Sequence, residues 1–178
     1  MNVTRPKLSF YPGNLPEKAK CVYLADELSL VYEASLRSEN ATDLSTLADA
    51  ISSQFGVDKS TELLLIADTL TLTFSGDDKH LSLLDAYTNR DFWVTSQVRS
   101  IPKVEDQGRL LVETALLEGD RYSLNLIPRY EIASNQEWVR IVLNGEKKAA
   151  YYEVAEGLVI GLREQIITDI FLRGVTFL

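Results

Sequence analysis

From Cys21 onward, the apolar residues of this chain recur at three- and four-residue steps: Leu24, Ala25, Leu28, Val31, Tyr32 and Leu36. That spacing places them on one face of a helix. Asn14 is a capping residue, and Pro16 falls in the first turn, where its missing N–H costs nothing. A helix is therefore expected from about residue 16 to Arg37. Ser38-Glu39-Asn40 breaks the pattern. Thr42 or Asp43 then caps a second helix with Leu44, Leu47, Ala48, Ile51 and Phe55 on its apolar face, stopped by Gly56. Pro6, Pro12 and Gly13 make residues 1–15 an extended arm leading into this pair.

The period changes after Glu62. Leu64, Ile66, Leu70, Leu72 and Phe74 alternate with Thr69, Thr71, Thr73 and Ser75, which reads as a long strand with one buried face. Asp68 interrupts that face. Gly76-Asp77-Asp78 is a turn, and Leu81, Leu84 and Tyr87 suit a short helix after His80. Strand candidates follow over Phe92–Ile101, Arg109–Leu117 and Tyr122–Ile132, the last containing Pro128 and so expected at an edge or bulge. Trp138–Leu143, Asn144-Gly145 and Glu146–Val154 have the form of a tight hairpin, because Asn-Gly tolerates the positive φ that a type I′ turn requires. Leu158, Val159, Leu162, Ile166, Ile170 and Phe171 return to a helical period, and Gly174 follows as a stop.

The pattern predicts a single α+β domain over residues 1–178. Its parts are the arm (1–15), a helical pair (16–56), an antiparallel meander of about six strands with a helical insert (62–154), and a helix (155–172) packed on one sheet face. The chain ends in Val175-Thr176-Phe177-Leu178, an apolar tail that would be satisfied as an added edge strand, within the subunit or between subunits.

Composition narrows the chemistry. The chain has 18 lysines and arginines against 26 aspartates and glutamates, a net charge of −8. Phosphate tracking needs a basic stripe, and the only dense basic group is Lys147-Lys148, so nucleic acid is disfavoured and a protein partner or a homo-oligomer is favoured. The longest apolar runs fall far short of the ~20 residues of a membrane-spanning helix. No secretory h-region follows Met1, and one cysteine forms no internal disulfide. Both features fit the cytoplasm, or a particle assembled there.

One histidine and one cysteine leave little for nucleophilic or zinc chemistry. No phosphate-binding loop, dinucleotide fingerprint, nucleophile elbow or Cys-x-x-Cys motif is present, and no cofactor is implied. Asp77, Asp78 and His80 form the best metal or acid–base cluster, although a capped, solvated turn explains them too. Asp68 on a buried face would be an acid or base of raised pKa; a bulge, an arginine partner or a hairpin break at Ala67-Asp68 accounts for it equally. Glu113, Arg129, Glu131, Arg140 and Glu153 could line a polar sheet face that binds a small ligand, or form cross-strand ion pairs.

Aromatic residues carry the remaining signal. Trp93, Trp138, Tyr151 and Tyr152 fall on both faces of predicted strands, and with Phe177 and Leu178 they are the candidate interaction residues. Together these features favour a non-enzymatic interaction module: a subunit or assembly factor of a larger complex or particle, or a client-binding chaperone. The alternatives are a small-molecule enzyme or ligand-binding domain using Asp68 or Asp77, Asp78 and His80, and a strand-rich nucleic-acid binder.

Overall fold

The computed structural model describes residues 6–15, 18–35, 62–75, 79–113, 121–144 and 149–178. They form fifteen strands: β1 (Lys7–Pro12), β2 (Lys18–Leu24), β3 (Ser29–Ser35), β4 (Leu63–Ala67), β5 (Leu70–Phe74), β6 (Leu81–Tyr87), β7 (Val94–Thr95), β8 (Asp106–Glu113), β9 (Arg121–Ser123), β10 (Arg129–Ile132), β11 (Trp138–Val142), β12 (Ala150–Ala155), β13 (Leu158–Arg163), β14 (Ile166–Arg173) and β15 (Thr176–Phe177). The one helical element among the described residues is a 3-10 turn, Arg90–Phe92. The α+β expectation is therefore overturned: the described residues are nearly all β, built of two mixed sheets.

The eight-stranded sheet runs β1-β8-β12-β13-β14-β11-β10-β7, and the seven-stranded sheet runs β15-β2-β3-β6-β5-β4-β9. Their inner faces share one apolar core. Leu30, Tyr32, Leu65, Leu72, Phe74 and Leu84 of the second sheet belong to the same buried cluster as Leu110, Ile141, Leu158, Ile160, Ile170 and Leu172 of the first. Two layers with interdigitating inner faces make a β-sandwich. The Tyr32 hydroxyl ties them, donating across to the Glu156 carbonyl at 2.7 Å.

The first expected helix is the β2–β3 hairpin. Cys21 lies opposite Tyr32 and Val22 opposite Val31, while Ala25 to Leu28 form the loop, with Leu28 at φ 53°. Ala25 and Leu28 mimic helical spacing only because the turn happens to hold them. The β-branched and aromatic content of the flanks is the signal that prevails. The second expected helix lies outside the described residues. The helix after His80 is strand β6, paired with β3 and β5.

The long strand over 62–75 is a hairpin, β4 and β5, joined by Asp68-Thr69, with Asp68 exposed at φ 51°. Across a two-residue turn the paired positions differ by three, so the buried set switches from odd numbers (Leu63, Leu65, Ala67) to even ones (Leu70, Leu72, Phe74).

Residues 122–132 do not make one strand. β9 edges the second sheet and β10 lies in the first, with buried Pro128 on the crossing between them. The expected Asn144-Gly145 hairpin is absent too: β13 and β14 lie between β11 and β12 in the sheet. The expected C-terminal helix is the hairpin β13–β14, whose two-residue turn, Glu164-Gln165, has φ of 49° and 67°. The apolar tail becomes β15, parallel to β2 within the same subunit.

β7 and β8 are consecutive in sequence yet lie six strand spacings apart, about 29 Å. The ten residues Ser96–Glu105 that join them reach at most about 36 Å when extended. The segment therefore runs nearly straight across the outer face of the first sheet as a strap, anchored where the Ser96 N–H donates to Ile132 and the Glu105 N–H to Tyr151.

Candidate functional site

The two catalytic candidates are not brought together. Asp68 and His80 lie at opposite ends of β5, on the order of 17–20 Å apart along the strand. Asp68 is in solvent. His80 is buried, bridges to Leu111 of β8, and holds its Nδ1 3.0 Å from the Ser75 hydroxyl. Asp77 and Asp78 lie outside the described residues, among which no group of three His, Cys, Asp or Glu side chains could hold a metal.

Five of the six aromatic and apolar interaction candidates are packed against other rings. Trp93 is in the core, stacked on Tyr130 and edge-on to Tyr23, with its indole N–H donating to the Thr88 hydroxyl at 2.9 Å. Trp138 is buried against Phe171, and Tyr152 stacks on Phe10 at 4.2 Å. Tyr151 packs edge-on to Phe171 on the sheet's outer face. Phe177 is half-buried, with the Arg90 guanidinium 4.1 Å above its ring. Leu178 alone stands in solvent, 69% exposed.

The polar residues form a centre that the sequence only half disclosed. On the outer face of the eight-stranded sheet, Arg140 pairs with Asp169 at 2.8 Å and with Glu131 at 3.2 Å. Thr168 and Tyr151 donate their hydroxyls to the Asp169 carboxylate, and Ser96, at the start of the strap, donates to Glu131 at 2.6 Å. Burial opposes the guanidinium charge, but Asp169 and Glu131 together outweigh it and raise its pKa above the ordinary arginine value. Burial, reinforced by Asp169, also raises the Tyr151 phenol.

Gly161, opposite Asp169 in register, makes room for this network; a Cβ there would overlap the Asp169 carboxylate and the Thr168 hydroxyl. Val98, Ile101 and Val104 of the strap cover the adjoining apolar patch of Trp138, Val159 and Phe171. With its charges paired and its apolar margin roofed, the cluster anchors the strap.

Asp169 escaped sequence reasoning because its segment read as a helix, yet a carboxylate inside Ile167–Leu172 is the same oddity that singled out Asp68. The other polar candidates disperse. Glu113 accepts from Tyr11 at the β1 edge, Glu153 lies 3.8 Å from Arg173, and Arg129 is exposed.

Among the described residues, recesses open between the sheets. One, about 350 Å³, is bordered by Cys21, Tyr32, Glu153 and Arg173. Burial pushes the Cys21 thiol up to about 12, so it is no nucleophile near neutrality. Another, about 150 Å³, opens where β1 and the β13–β14 turn face β4 and β9.

At the opposite flank the edges of both sheets meet. The 3-10 turn preceding β7 is held by Asn89, whose side chain accepts from the Asp91 N–H, and by the Tyr23 hydroxyl, which accepts from the Arg90 N–H. Backbone bonds Ala25 to Leu178 and Leu178 to Tyr23, both 2.9 Å, fix the last residue. This rigid mount holds out Phe92 (82% exposed), Val94 (57%) and Leu178.

The class defined so far is an all-β sandwich with a strapped face and an apolar-rimmed edge. The chain matches no protein-family profile and no curated protein sequence. No helix among the described residues is long and apolar enough to cross a membrane.

Proposed function

We propose that the chain is a non-enzymatic protein-interaction module, a subunit or assembly factor of a larger complex or particle, docking through the corner where the β7 and β15 edges meet. The observation that carries this reading is Phe92: a large ring in solvent on a turn fixed by side-chain and backbone bonds, flanked by Val94 and Leu178. A pre-ordered aromatic loses little entropy on docking, which is what an interface anchor requires. Both neighbouring edge strands are two residues long, so affinity would come from side chains more than from an added ladder. The separation of Asp68 from His80 supports the same preference for surface over chemistry.

Light scattering of the purified chain, combined with affinity capture from its native source, tests the proposal. A defined oligomer or stoichiometric partner is expected. The Phe92→Ser/Val94→Ser double substitution should weaken that association by roughly 30-fold or more, about 2 kcal/mol, with the circular dichroism unchanged. A strictly monomeric protein with no stoichiometric partner, or an association indifferent to the double substitution, would overturn it.

A further inference from the structure

We infer that the 150 Å³ cleft between β1, β14, β4 and β9 is a binding site for a small uncharged molecule with a compact apolar body and one hydrogen-bond-accepting head. Position supplies the first reason. The cleft opens between the two sheets, so its floor is the core itself: Leu8, Leu65 and Ile167 are buried side chains that reach its wall. Size supplies the second, because apolar cavities of about 150 Å³ take benzene-sized guests, on the order of six to eight heavy atoms.

Charge decides the class. Charged side chains make up 25% of the chain, yet none of the twelve described residues lining the cleft is charged. An ionised ligand would lose its hydration there with no counter-charge among the described lining residues, which disfavours carboxylates, phosphates and amines. The rim is polar but neutral, with Ser123, Asn125, Asn144 and Gln165 beside the apolar floor. Asn125 and Gln165 hold left-handed backbone at φ 51° and 67°, conformations disfavoured for residues with side chains. The Asn125 carboxamide oxygen already accepts from the Ser123 hydroxyl, while its N–H₂ makes no hydrogen bond within the described residues. A donor at the rim over an aliphatic floor selects a ligand ending in a hydroxyl or carbonyl oxygen. Short-chain or monocyclic alcohols, ketones and amides fit. Sugars bring too many hydroxyls for the floor, and fatty acids bring a charge.

The test uses the full chain with two probes of nearly equal shape, benzyl alcohol and benzoate, read by methyl chemical shifts. Benzyl alcohol should shift the Leu8, Leu65 and Ile167 methyls saturably, with a Kd on the order of 1 mM. Benzoate should bind at least tenfold more weakly. Ile166→Trp, at the half-open rim, should fill the cleft and abolish the shifts. Asn125→Asp, which exchanges the donor for a charge at an exposed position, should weaken benzyl alcohol several-fold even if the tryptophan variant fails to fold. Equal binding of the two probes, non-saturating shifts, or shifts that persist unchanged in a folded variant would overturn the assignment.

Discussion

The hairpins β4–β5 and β13–β14 are built alike, each closed by a two-residue turn that contains left-handed backbone without glycine, yet they sit in different surroundings. β4 buries alternate residues, Leu63, Leu65 and Ala67, with Leu64 and Ile66 only half covered. β13 buries five residues in succession, Leu158 to Leu162, and β14 six, Ile167 to Leu172. The second pair is central in its sheet, with core on one side and the strap, Tyr151 and Trp138 on the other. A strand covered on both faces has no polar alternation to display. The comparison also sets two aspartates against each other: Asp68 in solvent and Asp169 at 2% exposure among three partner side chains, Arg140, Tyr151 and Thr168.

The largest effect should separate those aspartates. Asp169→Asn leaves the Arg140 guanidinium with Glu131 as its only carboxylate among the described residues, and breaking such a buried pair should cost about 3 kcal/mol, at the lower end of its range because Arg140 is partly exposed. Asp68→Asn, at a solvated turn where asparagine tolerates positive φ equally well, should stay within about 0.5 kcal/mol. Urea unfolding of both variants measures the contrast. Equal costs would mean that the Asp169 network adds nothing.

Alkaline pH should turn the contrast round and weaken the β4–β5 side. Tyr130 lies beside Thr69 of that turn, its hydroxyl enclosed without closing a hydrogen bond, and burial pushes its phenol up to about 12. Burial raises Cys21 to a similar value and raises Tyr32 as well. All three are raised in the fold, so their contribution is complete below the unfolded values, 9.0 for the thiol and 10.0 for the phenols, and is lost as pH rises, through about 12 for Cys21 and Tyr130 and above the ordinary phenol range for Tyr32. Stability should therefore be flat with respect to these groups near neutrality and fall from about pH 9 upward. Tyr130→Phe should lessen that alkaline slope. It should also raise neutral-pH stability slightly by removing an enclosed unbonded hydroxyl.

Gly161→Ala tests why the covered hairpin tolerates a carboxylate at all. The added methyl would displace Asp169 from Thr168 and Tyr151, costing about 2 kcal/mol as overpacking. In the Asp169→Asn background the cost should shrink, because the same interactions are already lost. Additive costs would show that the glycine serves only close packing.

The strap accounts for the next difference. Ile101→Ala should cost about 1 kcal/mol, less than a fully buried deletion because Ile101 is half-exposed. It should also make Trp138 more accessible to acrylamide quenching and leave Trp93 untouched, since the first lies under the strap and the second in the core between the sheets. Equal quenching of both indoles would indicate general loosening instead.

These contrasts explain how much could be read in advance. Strand character over 63–74 and 109–113 was legible because one face of each is wet, and the apolar tail was legible as an edge-strand candidate. The helices at 16–37 and 155–172 were misread for two different reasons: a four-residue loop that imitates helical spacing, and strands buried on both sides. Local turn chemistry misled as well, since Asn144-Gly145 falls between strands that the sheet keeps three positions apart. The proposed docking corner was legible in part. Leu178 was singled out, whereas Phe92, next to the buried Trp93, could be told from it only once the 3-10 turn had fixed which ring points outward.

The smallest effect concerns the turns themselves. Gln165 is held at φ 67° because β13 and β14 meet in a register that leaves two residues for the connection, and Glu164 and Gln165 must both take the left-handed conformation. For residues with a Cβ this costs roughly 1 kcal/mol each, a cost that Gly escapes and Asn partly escapes. Gln165→Gly should therefore stabilise the fold by about 0.5 kcal/mol, the relieved strain being partly offset by the greater chain entropy of glycine in the unfolded state. If Gln165 also helps to shape the rim of the cleft, the same variant should raise Tm and weaken benzyl alcohol binding together. A rise in Tm with unchanged binding would confine Gln165 to the turn.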